Sequence, residues 1–140
     1  MASRTGAYIK LLRPEIAAMD LALPAASALL ATYLLTGGLP PLFPFVLAVI
    51  GGYCAITSTY VVNDCCDIDI DKINLPDRPL SSERVTRRQG LLYAFLLFVV
   101  AAAVAFYLNP ESLAVLVIAT LAITLYSAIA KRATFLSFLP

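Results

Sequence analysis

Four apolar windows, at about 16–35, 42–62, 90–108 and 112–130, are interrupted by a single charged residue, Asp20. Each is long enough to cross a ~30 Å hydrocarbon layer as a helix. Lipid offers the backbone no hydrogen-bonding partners, so only helices or closed barrels can span it. The period-two alternation of a barrel strand is absent. Composition agrees: 61% of side chains are hydrophobic and 14% charged, with mean hydropathy +0.87, which excludes a water-soluble globule. The expected fold is therefore all-α, a polytopic transmembrane helical bundle of four helices. It forms one domain over 1–140.

The connections differ in kind. Gly37, Gly38, Pro40 and Pro41 make one tight turn, and Asn109-Pro110-Glu111 makes another. Between them lies a polar stretch over 63–89, longer than an ordinary helix connection and so expected to be functional. All ten basic residues fall in three groups: Arg4, Lys10 and Arg13; Lys72, Arg78, Arg84, Arg87 and Arg88; Lys131 and Arg132. With four spans these groups share one side, and the two short turns carry no Lys or Arg. The positive-inside rule places the N-terminus, the 63–89 loop and the C-terminus in the cytoplasm, as in a multi-pass protein of the cell (plasma) membrane.

Ala26-Ser27-Ala28 resembles a signal-peptide cleavage site, but the apolar run continues past it, and removing the span would undo the charge asymmetry. Three cysteines, Cys54, Cys65 and Cys66, show neither CxxC spacing nor histidine partners, so neither a disulfide framework nor a zinc site follows. A net charge of +1 without clustered excess cation argues against a nucleic-acid partner.

Five of the nine acidic residues, Asp64, Asp67, Asp69, Asp71 and Asp77, gather where the second span leaves the membrane. If the helix continues past Val62, Asn63, Asp64, Asp67 and Asp71 fall at about 0°, 100°, 40° and 80°, one face, while Asp69 falls at about 240°. Stacked carboxylates repel unless a cation holds them. Oxygen-only donors point to Mg²⁺ or a hard relative, which is commonly shared with substrate phosphates. Lys72, Arg78, Lys131 and Arg132 supply nearby cations. A solvated loop in which Lys72 and Arg78 pair locally is the plainer reading of the same residues.

Asn63-Asp64-Cys65-Cys66-Asp67-Ile68-Asp69-Ile70-Asp71 reads as N-D-x-x-D-x-x-x-D and leads into Lys72-Ile73-Asn74-Leu75-Pro76-Asp77-Arg78-Pro79-Leu80. This run resembles the first aspartate-rich motif and following loop of the UbiA family of intramembrane prenyltransferases, and most of all its digeranylgeranylglyceryl phosphate synthase-like members. Arg13-Pro14 ahead of the first span and Tyr126 with Lys131-Arg132 at the end of the fourth agree with it. Locally the chain departs: members commonly carry Pro-Ser-Gly where Ser81-Ser82-Glu83 stands here. Family members have about nine transmembrane helices and a second aspartate-rich motif, so the resemblance implies that 1–140 is one partial domain, about half of their fold, in which the residues after Arg132 open a fifth helix.

The resemblance implies Mg²⁺-dependent transfer of an isoprenyl group from a prenyl diphosphate to a hydrophobic or amphipathic acceptor in lipid or quinone biosynthesis, geranylgeranylglyceryl phosphate among the candidates. Asn63, Asp64, Asp67 and Asp71 would hold the metal, with Asp67 and Asp71 catalytic. Arg78, Lys131 and Arg132 would bind diphosphate, and Tyr126 and Arg13 substrate. With one motif the diphosphate is held from one side, so the chain alone is expected to be inactive or incomplete, its second half coming from another polypeptide or a second copy. Lys131, Arg132 and Arg13 also read as membrane flanks, and Tyr126 as an interfacial aromatic. Asp20 either faces a polar interior or snorkels to the interface. The competing function is non-enzymatic, a four-span cation-binding or assembly subunit among membrane lipids.

Overall fold

In a computed structural model, which describes residues 4–126 and 129, the chain is built from six helices. They are α1 (Arg4–Leu11), α2 (Ala17–Thr36), α3 (Leu42–Cys66), α4 (Ile68–Asn74), α5 (Arg87–Leu108) and α6 (Pro110–Leu125). Helices α2, α3 and α5 are long and apolar enough to cross a membrane, and α6 is a shorter apolar helix within the fourth expected span. The remainder of that span, and the start of a fifth helix, lie outside the described residues. The all-helical membrane bundle is as the sequence predicts.

Local chemistry sets the boundaries. Gly37 takes a left-handed φ of 71° and ends α2, its N–H returning to the Tyr33 carbonyl at 2.8 Å. Thr86 opens α5 with a capping box: the Gln89 N–H donates to its hydroxyl, and its own N–H donates to the Gln89 side chain. Asn109 caps α6, with Pro110 in the first turn, where a missing N–H costs nothing.

Helix α3 is central, packed between α2 and α5, with α6 against α5 and α3. Small residues permit the close approach: a Cβ on Gly51 would meet Val104, and one on Gly52 would meet Pro24. Most of the spanning surface is open to lipid or to further protein; only 22% of the apolar window of α3 is buried. The tight core sits at one end, where Ala7 and Leu11 of α1, Val61 and Cys65 of α3, Leu80 and Val85 of the loop, and Ala94 of α5 close together. Tyr8 and Tyr93 stack at a tilt beside it, centroids 5.4 Å apart. That core fixes the end of α3, where the aspartates lie.

The 63–89 stretch is more ordered than a loop reading suggests: it contains the last turn of α3, the whole of α4 and the cap of α5. Glu83 takes φ 59°, a left-handed conformation, where members of the resembled family carry glycine. Its carboxylate accepts from Lys72 Nζ at 2.9 Å. That hydrogen bond holds the Glu83 carboxyl below its ordinary value and Lys72 above its own, so the attraction fades both in acid and in strong base and is full at neutral pH. Both groups are exposed, and exposed pairs contribute little. Glu83→Gly is therefore expected to raise the melting temperature by roughly 2–5 °C, because relief of backbone strain exceeds the lost pair; a lower midpoint would show that the pair matters more.

Candidate active site

The α3 helix does not run unbroken through the aspartates. It ends at Cys66, Asp67 sits at the junction with φ −100° and ψ 11°, and α4 starts at Ile68. The backbone ladder still bridges the junction: the Asp67 N–H donates to the Asn63 carbonyl at 3.0 Å, and the Asp71 N–H to the Asp67 carbonyl at 2.8 Å. The face expected of a continuous helix therefore survives. Asp64, Asp67 and Asp71 are all buried, 6%, 4% and 7% exposed, while Asp69 is exposed and Asn63 half-buried.

Buried carboxylates need partners, and two arginines supply them. Arg78 Nη1 donates to Asp64 Oδ1 at 2.9 Å and to Asp71 Oδ2 at 2.7 Å. Arg13 Nη2 donates to the same Asp64 oxygen at 2.7 Å. Two cations thus meet one carboxylate oxygen, at the short distances of charge-assisted bonds. Arg13 reaches it from a strained position, φ 50°, at the turn between α1 and α2. Strain at a non-glycine residue costs of order 1–3 kcal/mol and persists where surrounding contacts over-determine it. Here those contacts are the Asp64 bond and the Tyr60 ring, whose centroid lies 4.6 Å from the guanidinium carbon.

Tyr60 continues the network into the bundle. Its hydroxyl donates to Asp20 Oδ1 at 3.1 Å, and Asp20 is buried, 8% exposed. The polar-interior reading of Asp20 is therefore the one observed. Tyr60 carried no weight in the sequence analysis, although its place four residues before Asp64 puts both on one face of α3. Tyr60→Phe keeps the ring beneath Arg13 but removes the donor to a buried carboxylate, and is expected to lower stability by about 1–3 kcal/mol. Thermal unfolding in detergent checks this, and an unchanged midpoint would mean that Asp20 finds another donor.

The other expected site residues separate. Tyr126 ends α6 exposed, and among the described residues no hydrogen bond joins it to the carboxylates. Lys131 and Arg132 lie outside the described residues. Lys72 turns to Glu83 rather than to the aspartates. Lys10, which the sequence marks only as one of the cytoplasmic charges, joins Arg13, Arg78, Asp64 and Glu15 in lining a cavity of about 130 Å³. A second cavity, of about 230 Å³ and apolar, opens between α3, α5 and α6 at Gly51, Ala55, Ala101 and Leu116. It begins nine residues before Asp64, roughly 14 Å along the helix.

A family model described as the UbiA prenyltransferase family matches residues 23–139. The chain belongs to the UbiA prenyltransferase family. Among its similar UbiA relatives are proteins named digeranylgeranylglyceryl phosphate synthase. That of Methanospirillum hungatei is 32% identical over 109 residues, 77% of this chain and 36% of the relative. That of Methanosarcina barkeri is 30% identical over 118 residues, 79% and 41%. That of Methanosphaera stadtmanae is 28% identical over 130 residues, 92% and 45%. The chain thus spans less than half the length of these curated relatives. No solved structure matches it.

Hard oxygen donors are what UbiA membership leads one to seek, and Asp64, Asp67, Asp71 and the Asn63 amide are of that chemistry. Yet among the described residues no three acidic, histidine or cysteine side chains are gathered closely enough to hold a metal ion. Asp64 and Asp71 instead share one partner, Arg78 Nη1. The donor set fits Mg²⁺ in kind, and the position is held by Arg78.

Proposed function

We propose that this chain forms the first half of a Mg²⁺-dependent prenyltransferase site, which transfers an isoprenyl group from its diphosphate to a hydrophobic or amphipathic acceptor in the membrane. The observation that carries the reading is the burial of three carboxylates on one face at the end of a membrane helix, with two arginines drawn onto Asp64 and Asp71. Such a cluster is costly in a structural scaffold and useful where a polyanion and its counter-cations must be seated. The relatives' name supports a phosphate-bearing glycerolipid ether as the product class.

In this mechanism Mg²⁺, once bound, would neutralise charge on the departing diphosphate. The chain's own residues do the rest. Asn63, Asp64, Asp67 and Asp71 present hard oxygens at the membrane boundary. Arg78 would stabilise negative charge on the diphosphate as the allylic C–O bond breaks, the role also proposed for Lys131 and Arg132. Arg13, bonded to Asp64, would bind substrate there, and Tyr126, at the far end of α6, would meet it away from the carboxylates. The apolar faces of α3, α5 and α6 exclude water from the prenyl tail and the developing carbocation. A second aspartate-rich segment, on the same polypeptide, a half-protein or a second copy, completes the diphosphate site. The protein lies in the plasma membrane with the carboxylate end and both termini cytoplasmic, the side on which all its cations fall.

The test is equilibrium binding of a radiolabelled prenyl diphosphate to the chain in lipid nanodiscs. Saturable binding that needs Mg²⁺ and is removed by EDTA is expected, without turnover until the second motif is supplied. Binding that ignores EDTA would defeat the reading.

A further inference from the structure

The bridge between Asp64 and Asp71 has a consequence for the order in which ligands enter. Two guanidiniums bond Asp64 and Asp71, and Asp67 is buried on the same helix face, so Asp64, Asp67, Asp71, Arg13 and Arg78 together carry one net negative charge. A divalent cation entering alone would have to part Arg78 from Asp64 and Asp71. It would leave that guanidinium, with only 30% of its side chain exposed, without an anion. A diphosphate entering alone would meet carboxylates whose charge the arginines only partly offset. Entering together, the two solve both problems. The metal takes the aspartate oxygens, and the guanidinium exchanges one anionic partner for another.

We propose that Arg78 is the resident cation of the aspartate site, a stand-in for the metal, and that its exchange from carboxylate to diphosphate makes metal and diphosphate binding strongly interdependent. This deepens the prenyl-diphosphate reading and rests on it. Arg78 suits the part. One nitrogen, Nη1, makes both carboxylate bonds, while the arginine also lines the cavity of about 130 Å³ shared with Lys10 and Arg13. A planar guanidinium has further donors with which to take a phosphate oxygen as the carboxylates are released. The residues that follow Arg78 in the loop, Pro79, Leu80 and Ser81, are buried.

The experiment reads Mn²⁺, a hard spin probe, by the free-ion electron paramagnetic resonance signal in the absence of any diphosphate. Wild-type chain in nanodiscs is expected to bind it weakly, and Arg78→Gln more tightly by about 5–150-fold, the usual size of a coupling between sites. Arg84→Gln removes a nearby cation that bonds the Ser82 hydroxyl and the Asp77 backbone carbonyl rather than an aspartate carboxylate. It should bind as wild type does, which separates exchange from a general change in charge.

Because Arg78→Gln can also unfold the loop, guanidinium nitrogen NMR on unmutated chain supplies a second reading. The Arg78 resonance should stay in place with Mg²⁺ alone and move when Mg²⁺ and a prenyl diphosphate are added together. Movement with Mg²⁺ alone would overturn the exchange, as would Mn²⁺ binding equally tight in wild type and Arg78→Gln. If instead no Mg²⁺-dependent diphosphate binding exists at all, it is the prenyltransferase reading that fails.

Discussion

Asp71→Ala is expected to weaken Mg²⁺-dependent binding of prenyl diphosphate by about two to three orders of magnitude, while Asp69→Ala leaves it unchanged. The two residues sit two positions apart in α4 with equal charge, and what separates them is direction. Asp71 is 7% exposed and holds Arg78 at 2.7 Å; Asp69 is exposed. Removing Asp71 takes away one hard oxygen donor and one of the two anchors of Arg78. Truncating one partner of a buried, hydrogen-bonded charge pair at a binding site typically costs about 2–5 kcal/mol of affinity, a range that contains two to three orders of magnitude. The fold should tolerate the change, because Arg78 keeps its bond to Asp64 and is not left as a bare buried cation. Circular dichroism of both variants establishes that they are folded, and labelled-diphosphate binding supplies the comparison. Equal loss in the two would mean that only the summed negative charge counts, and a featureless acidic loop would then suffice.

How much of this was legible beforehand follows from which interactions are local. Helical periodicity depends on neighbours in sequence, so the spans and the shared face of Asp64, Asp67 and Asp71 could be read directly, as could the outward direction of Asp69. Arg78 was recognisable as a cation near the motif, but not as a bridge. Its bonds to Asp64 and Asp71 depend on how the loop folds back, seven to fourteen residues on. The Arg13 contact crosses 51 residues and requires the strained turn before α2, which no periodicity announces. Tyr60 and Asp20 meet across two spans, 40 residues apart. Helix α1 also went unread: eight residues are too few for a periodic signal, and its stability comes from Ala7 and Leu11 in the core rather than from propensity. The short turn chemistry around Glu83 was visible only as a departure from Pro-Ser-Gly, and the left-handed φ explains why glycine is common there.

Gly90→Val should be the most damaging single substitution for stability, lowering it by about 2–4 kcal/mol. Two effects oppose each other at this helical glycine. Any side chain that restricts the unfolded backbone favours the helix, by up to ~1 kcal/mol for alanine and less for valine. Against this, a Cβ at Gly90 would stand 2.8 Å from Cys65 Sγ and 3.0 Å from Leu80 Cδ2. Those neighbours cannot swing aside, since Cys65 is 2% and Leu80 3% exposed within the tight core. Overpacking of this kind costs typically 1–3 kcal/mol. For alanine the two terms nearly balance, and Gly90→Ala should shift the midpoint little. For valine two further methyl groups enter the same space with almost no helical gain, and packing decides. Gly38→Ala is the matched control, because its Cβ would meet only Thr36 Oγ1 at 3.8 Å. Thermal unfolding of the three variants in detergent reads the ordering directly. The effect should also reach the site: Cys65 adjoins Asp64, and Leu80 follows Arg78 by two residues. Forcing α5 away from them loosens both ends of the carboxylate–guanidinium bridge. A valine variant as stable as wild type would show that the end of α3 can move, and that the core does not fix the aspartates.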